Sequence, residues 1–302
     1  MISLKQLTYA LAVAETRHFK KAAAQCGVSQ SALSTAVSEL ENQLGVQIFE
    51  RDNKKVLISP IGEQILSKAR DIKLDIDDLY MISQGQQAPL SYPLSIGVIP
   101  TIGPYLLPKT LPEVRKQYPD LKLRIVEEQS EVLVEKVRKG ELDTAILALP
   151  YAVDGLLALE FWQEDFYLVT NKSSDIANRK EISSAELDEG HLLLLKDGHC
   201  LKDHVLAACK LQATQTDHSL EGASLYTLIQ MVASQMGTTM VPQMALDQLV
   251  SHSNELTAVH LNEPGPHRKL AFITRLNYAG VPNIELLIKL FKGQLMHYCA
   301  PN

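Results

Sequence analysis

Cysteine is scarce, with four residues in a chain of 302. So few thiols exclude a disulfide-stapled scaffold. No apolar run approaches the roughly 18 residues that a membrane span needs. The stretch from Thr144 to Val153 is short, and Pro150 breaks it. The chain also lacks an excess of positive charge, at net −6, which speaks against nucleic-acid binding by the molecule as a whole. What is present is an ordinary folded composition, 46% hydrophobic and 21% charged, which excludes disorder and collagen-like repeats. At about 150 residues per domain the length predicts two domains, or three if one is small.

The charge is uneven. The first 60 residues carry seven basic groups against five acidic ones, a net +2, which leaves −8 on the other 242. A slightly basic head on an acidic body predicts a polyanion-binding module joined to something else.

Lys5 followed by the apolar stretch 7–14 imitates a signal peptide, and Ala12-Val13-Ala14 imitates its cleavage site. The stretch is short for that role. Leu4, Leu7, Leu11 and Ala14 instead recur at the spacing of one buried helix face. A second helix is predicted over 19–26, with Ala22, Ala23 and Ala24 allowing close packing and Gly27 ending it. Ser29 is a good N-cap for a third helix over 30–44, which Gly45 stops. Leu33, Val37, Leu40 and Leu44 form the apolar stripe of that helix. Gln30, Ser31, Ser34, Thr35 and Ser38 project from its other faces, and its first two turns have no acidic residue.

Helix, tight turn, then a helix with a small, polar N-terminal face is the geometry that reads a major groove. Val46–Phe49 and Val56–Ile58 read as strands of a wing, with Arg51, Lys54 and Lys55 at its tip for phosphate or minor-groove contact. A plain helical domain with a solvated basic loop is the competing interpretation. The order of cap, turn, helix and wing favours a double-stranded DNA reader. The runs Phe19–Ala24, Val28–Ser34, Leu40–Val46 and Phe49–Arg51 resemble the winged helix-turn-helix of LysR-type transcriptional regulators. Cys26, in the second helix, is expected to be a small buried core residue.

Ser59-Pro60 starts a further helix. Ile65, Ala69, Ile72, Ile76 and Leu79 follow at steps of 4 and 3, a heptad seam that pairs two helices. A two-fold dimer would match a pseudo-palindromic operator. From Leu94 strands and helices alternate, which predicts α/β units with mostly parallel sheets. Leu270–Thr274 looks like a strand returning to the first unit. The expected fold is an N-terminal winged helix-turn-helix, mainly α, with a long linker helix. An α/β regulatory domain of two subdomains follows, like periplasmic binding proteins. The expected boundaries are 1–58 for the head, 59–89 for linker and hinge, 90–163 with 268–302 for subdomain I, and 164–267 for subdomain II.

The segment Lys196–Asp203 contains Gly198-His199-Cys200, and Cys209 lies nine residues after Cys200. Cys200 opens a helical pattern, and a helix N-terminus favours thiolate, as do His199, Lys196 and Lys202 if they point inward. A thiolate attacks peroxide and becomes sulfenic acid. If 201–209 is helical, nine steps separate the two Cα atoms by about 13.5 Å and place the side chains on opposite faces. A disulfide needs Cα atoms about 4.4–6.8 Å apart, so joining them requires the helix to unwind. Spacing alone favours two unremarkable cysteines, since this interval is no general motif. Zinc is not expected, because His199, Cys200, His204 and Cys209 lack paired metal-ligand spacing. His191, His204 and His218 default to structural roles, and Cys299 is expected to be incidental.

Gly198-His199-Cys200 and the run Ile99–Pro108 resemble the OxyR branch, the peroxide-responsive group within the LysR family. The resemblance implies Cys200 as peroxidatic thiol and Cys209 as resolving thiol. It implies Thr101, Ser130, His199 and Arg268 as the hydrogen-bonding surroundings of the peroxide, with Ser130 standing where the branch carries Thr. It further implies a cytoplasmic, nucleoid-associated homotetramer, a dimer of dimers. Its partners would be DNA, RNA polymerase and a thiol reductant of glutaredoxin or thioredoxin type. No cofactor, no membrane contact and no enzymatic turnover are expected. Three alternatives stay open: a LysR-type regulator with a small metabolite in its cleft, a thiol peroxidase, and a secreted solute-binding protein.

Overall fold

A computed structural model describes residues 1–52, 55–85, 89–211, 221–222 and 224–298. The chain divides into two compact units, Met1–Gln84 and Gly85–Asn302.

In the first unit, α1 (Leu4–Thr16), α2 (Phe19–Gln25) and α3 (Gln30–Leu44) precede a hairpin of β1 (Phe49–Asp52) and β2 (Lys55–Ile58), and α4 (Pro60–Gly85) follows. Local chemistry sets the helix starts. The Ser3 hydroxyl accepts from Gln6 N while Gln6 Oε1 accepts from Ser3 N, a reciprocal cap. Ser29 Oγ accepts from Ala32 N at the start of α3. Val13, Ala22, Leu33, Val37, Leu40 and Ile48 bury completely where the three helices meet. Leu4 does not join them and is exposed. Cys26 is the C-cap of α2 rather than a helix residue, and it is half-buried at the edge of this core.

The wing is shifted from its expected register. Glu41 Oε1 accepts from the N–H groups of both Ile48 and Phe49, so residues 46–48 bend around α3 and pairing begins at Phe49. Arg51 therefore lies within β1 opposite Val56, and Lys55 opens β2 opposite Asp52. Lys54 falls outside the described residues.

The second unit contains two mixed sheets. The first has the order β4-β3-β5-β13-β6, built from β3 (Leu94–Val98), β4 (Leu123–Glu127), β5 (Thr144–Leu149), β6 (Leu156–Glu164) and β13 (Arg268–Arg275). Helices α5 (Gly103–Gln117), α6 (Ser130–Arg138) and α10 (Val281–Tyr298) belong to this half of the chain. The second sheet has the order β10-β9-β11-β7-β12-β8. Its strands are β7 (Phe166–Asn171), β8 (Glu181–Ile182), β9 (Leu192–Leu195), β10 (Glu221–Gly222), β11 (Thr238–Pro242) and β12 (Leu256–Leu261), with helices α7 (Cys200–Ala208), α8 (Leu225–Ala233) and α9 (Leu246–Leu249).

The chain crosses between sheets twice, at Asp165 and across residues 262–267. The second crossing returns β13 to the first sheet, as expected. There β13 runs antiparallel to β5 and β6, and in the second sheet β7 runs antiparallel to β11 and β12. The sheets are thus mixed rather than mostly parallel.

Candidate functional site

Strand β9 is four consecutive leucines, all buried. Beyond it the chain turns at Gly198, whose φ is +93° and whose missing side chain leaves room for the Gln129 amide 2.7 Å away from where a Cβ would stand. His199 is the extended N-cap of α7, and Cys200 is its first residue. Ile99, Pro100 and Thr101 approach from the end of β3, and Gln129 and Ser130 from the start of α6. The space among them has no room for a water-sized molecule. Cys200, His199, Thr101, Ser130 and Arg268 are all buried. The thiol on α7 of the second sheet is therefore walled by elements of the first.

Arg268 opens β13 with no exposure of its side chain. Its Nε and Nη2 both lie 2.7 Å from Glu164 Oε1. Its Nη1 donates to Thr101 Oγ1 at 3.3 Å and its Nη2 to the Thr101 carbonyl at 3.2 Å. Glu164 Oε2 in turn accepts from Met244 N at 2.8 Å, and the buried Lys109 Nζ donates to the Met244 carbonyl. The buried ion pair thus ties the wall of the thiol cavity to the turn after β11.

Burial pushes the Cys200 thiol up, against the Ser130 hydroxyl, the Arg268 charge and the Ala148 backbone, which favour thiolate. Ser130 Oγ stands beside the sulfur without reaching normal hydrogen-bond geometry and has no other partner. Burial thus opposes the ionised form that the helix N-terminus favours. Burial holds the His199 pKa down, with Lys196 adding to the effect, which favours a neutral imidazole. The Lys202 ammonium is engaged by Asp197 at 2.8 Å. The charges that reach the sulfur are those of Arg268, which favours thiolate, and of Asp203, which opposes it.

Helix α7 is continuous from Cys200, and Cys209 caps its far end with its N–H on the Val205 carbonyl at 2.9 Å. Cys200, Cys209 and Cys26 are the free thiols among the described residues. Burial first, and the Glu263 carboxylate second, push the Cys209 thiol up to about 12.

The structure brings Thr101, Ser130, His199, Cys200 and Arg268 together and sets Cys209 apart. Glu164, Gln129 and Glu263 were not singled out, and no local motif signals them. The sequence leaves His204 a structural role. It stands one turn after Cys200, on the same side of α7. Its Nε2 meets the Pro150 carbonyl at 2.9 Å, and its buried Nδ1 has no partner. Its four-residue interval from Cys200 was the available signal.

In the first unit, Gln30, Ser31 and Thr35 are exposed on α3 and Ser34 and Ser38 half-exposed, with no acidic residue in the first turn. Among the described residues no helix is long and apolar enough to cross a membrane, and no group of His, Cys, Asp and Glu stands ready for a metal ion.

Residues 4–63 match the family described as bacterial regulatory helix-turn-helix protein, lysR family, and residues 87–296 match the LysR substrate binding domain. The chain is 39% identical over 290 residues to the HTH-type transcriptional regulator EstR of Acinetobacter baylyi, covering 96% of both. It is 40% identical over 291 residues to a probable hydrogen peroxide-inducible genes activator of Streptomyces viridosporus, covering 94% of this chain and 92% of that one. A full-length OxyR variant from Pseudomonas aeruginosa shares its fold with a TM-score of 0.81 at 33% identity, over 97% of this chain and 95% of that one. Matched in order along nearly its whole length, the chain belongs to the LysR family of bacterial helix-turn-helix regulators and is similar throughout to OxyR.

Proposed function

We propose that this regulator senses hydrogen peroxide through Cys200 and converts its oxidation into a change of shape that controls antioxidant genes. The Cys200 sulfur attacks one peroxide oxygen, the O–O bond breaks, and the other oxygen leaves as water with the protons supplied in the site. Thr101, Ser130, His199 and Arg268 provide donors for peroxide, and the Arg268 charge supports the thiolate in the transition state. The Cys209 sulfur then attacks the sulfenic sulfur, an S–S bond replaces the S–O bond, and a second water leaves. The observation that carries this reading is Cys200 at one end of α7, buried among Thr101, Ser130 and His199, with Cys209 at the other end. Forming the bond dismantles the helix and forces the surrounding lobes to repack.

The boundaries are those expected above, with the head at 1–58, linker and hinge at 59–89, and subdomains at 90–163 with 268–302 and at 164–267. Gln30, Ser31, Ser34, Thr35 and Ser38 face base edges, while Arg51, Lys54 and Lys55 of the wing serve phosphate. The assembly is a homotetramer, a dimer of dimers on a pseudo-palindromic operator. It works in the cytoplasm at the nucleoid, recruits RNA polymerase, and is reset by a glutaredoxin- or thioredoxin-type reductant. No cofactor takes part.

The test is mass spectrometry after brief dilute peroxide, beside a promoter assay. A linked 200–209 peptide is expected in the parent and absent in Cys209→Ser, and Cys200→Ser loses the peroxide response. A response unchanged in Cys200→Ser would move the reading to a cleft-bound metabolite.

A further inference from the structure

The far end of α7 is fastened to a single carboxylate. Glu263, between β12 and β13, uses both of its oxygens. Oε1 accepts from the backbone N–H of Ser184 at 3.0 Å and from the Ser184 hydroxyl. Oε2 accepts from Lys210 Nζ at 2.8 Å. Lys210 directly follows Cys209 and has a φ of +56°, a backbone conformation that a lysine rarely adopts. Its N–H bonds to the Ala207 carbonyl, and the next N–H, of Leu211, reaches back to Leu206. The ion pair thus holds the residue that terminates the helix. The same carboxylate lies within electrostatic reach of the buried Cys209 thiol and disfavours its ionised form. Glu263 itself, held by Lys210 and Ser184, stays charged down to about pH 2.

We propose that Glu263 is a positioning residue that slows disulfide formation, by anchoring the C-terminal end of α7 through Lys210 and by keeping a negative charge beside Cys209. This rests on the peroxide reading of Cys200 and Cys209. In the step concerned, the Cys209 thiol gives up its proton, its sulfur bonds to the Cys200 sulfur, and the sulfenic S–O bond breaks. The hydroxide then leaves with that proton as water. A thiol held protonated attacks slowly, and a pinned helix end cannot travel to meet it. Neither effect touches the first step, because Glu263 is not part of the cavity around Cys200. The sulfenic acid therefore persists, and further peroxide can carry it to sulfinic acid. Glu263 would then set the upper end of the peroxide range over which the switch is reversible.

The experiment mixes reduced full-length protein with dilute hydrogen peroxide, quenches at intervals, and follows trapped sulfenic acid and the linked 200–209 peptide separately. Glu263→Gln removes the charge. Lys210→Met removes the anchor at a surface side chain and leaves the charge, so it carries the test even where the first variant folds poorly. Sulfenic acid is expected at the parent rate in both. Conversion to disulfide is expected to rise by roughly five- to tenfold in Glu263→Gln and by a smaller factor in Lys210→Met, following thiolate fraction and release of the helix end. Added salt, which screens the exposed ion pair, speeds the second step of the parent but not of Glu263→Gln. Conversion at the parent rate or slower in both variants, with the linked peptide present in the parent, overturns this role and leaves peroxide sensing standing. A parent that never forms the linked peptide overturns both.

Discussion

Arg268 is a full charge at zero exposure whose counter-ion, Glu164, is equally buried. Such a pair contributes little net stability, because desolvation offsets the attraction, but removing one member strands the other. Arg268→Met is therefore expected to destabilise the regulatory domain by roughly 3–5 kcal/mol in urea unfolding. The double variant Glu164→Gln with Arg268→Met recovers part of that loss. Both should also slow Cys200 oxidation, since the sulfur loses its nearest supporting charge. The two histidines beside the thiol make stability depend on pH. Burial holds His199 and His204 below the usual 6.5, so near and below that value the unfolded chain binds protons that the folded one refuses. Their contribution is complete above about pH 6.5 and falls as the pH drops through the lowered folded values. The melting temperature is expected to decline more steeply between pH 7 and 5 in the parent than in a His199→Asn, His204→Gln variant; parallel curves would contradict this.

At the scale of elements, the junction of wing and linker depends on one close approach. A Cβ at Gly62 would stand 2.3 Å from the Ile48 carbonyl oxygen. The first turn of α4 is tied to the segment before β1 by Ser59, whose hydroxyl donates to the Gln47 carbonyl and accepts from Gly62 N. Gly62→Ala is expected to cost about 1–3 kcal/mol in thermal unfolding, as overpacking does, with the wing displaced from α3. Helix α3 and the start of α4 are legible in the sequence because caps are local: Ser29, Gly45 and Ser59 act within a few residues of themselves. The start of the wing is not, because Glu41 reaches seven residues ahead to take the Ile48 N–H. Cys200 is legible through a motif and a helix start. Glu164 is not, because its partners Arg268 and Met244 are 104 and 80 residues away in sequence. Strand β6 and helix α10 were not singled out either, although buried Ile284, Leu287, Phe291 and Leu295 in α10 carry a readable helical period.

At the scale of the whole molecule, the apolar stripe of α4 serves two surfaces along its length. Leu66 and Ala69 are buried in the core of the first unit, so the early turns lie on their own domain. Further along, Ile72, Leu79 and Ile82 are exposed, Leu79 at 65%. The heptad read from the sequence is therefore split, with Ala69 used internally and the later positions left for another surface. A helix of 26 residues with such a stripe fits a second copy of itself, because two identical seams supply matching knobs and holes. Leu79→Asp puts a charge on that seam without touching the core. It is expected to shift the protein toward monomer in light scattering at micromolar concentration, with an unchanged melting temperature for the regulatory domain. Its affinity for a two-half-site operator should fall well below that of the parent, while weak, salt-sensitive binding by a single head survives. Leu66→Ala should do the reverse, lowering stability by roughly 2–5 kcal/mol while the folded fraction still assembles. If Leu79→Asp assembles and binds its operator as the parent does, the exposed stripe is not what joins the copies.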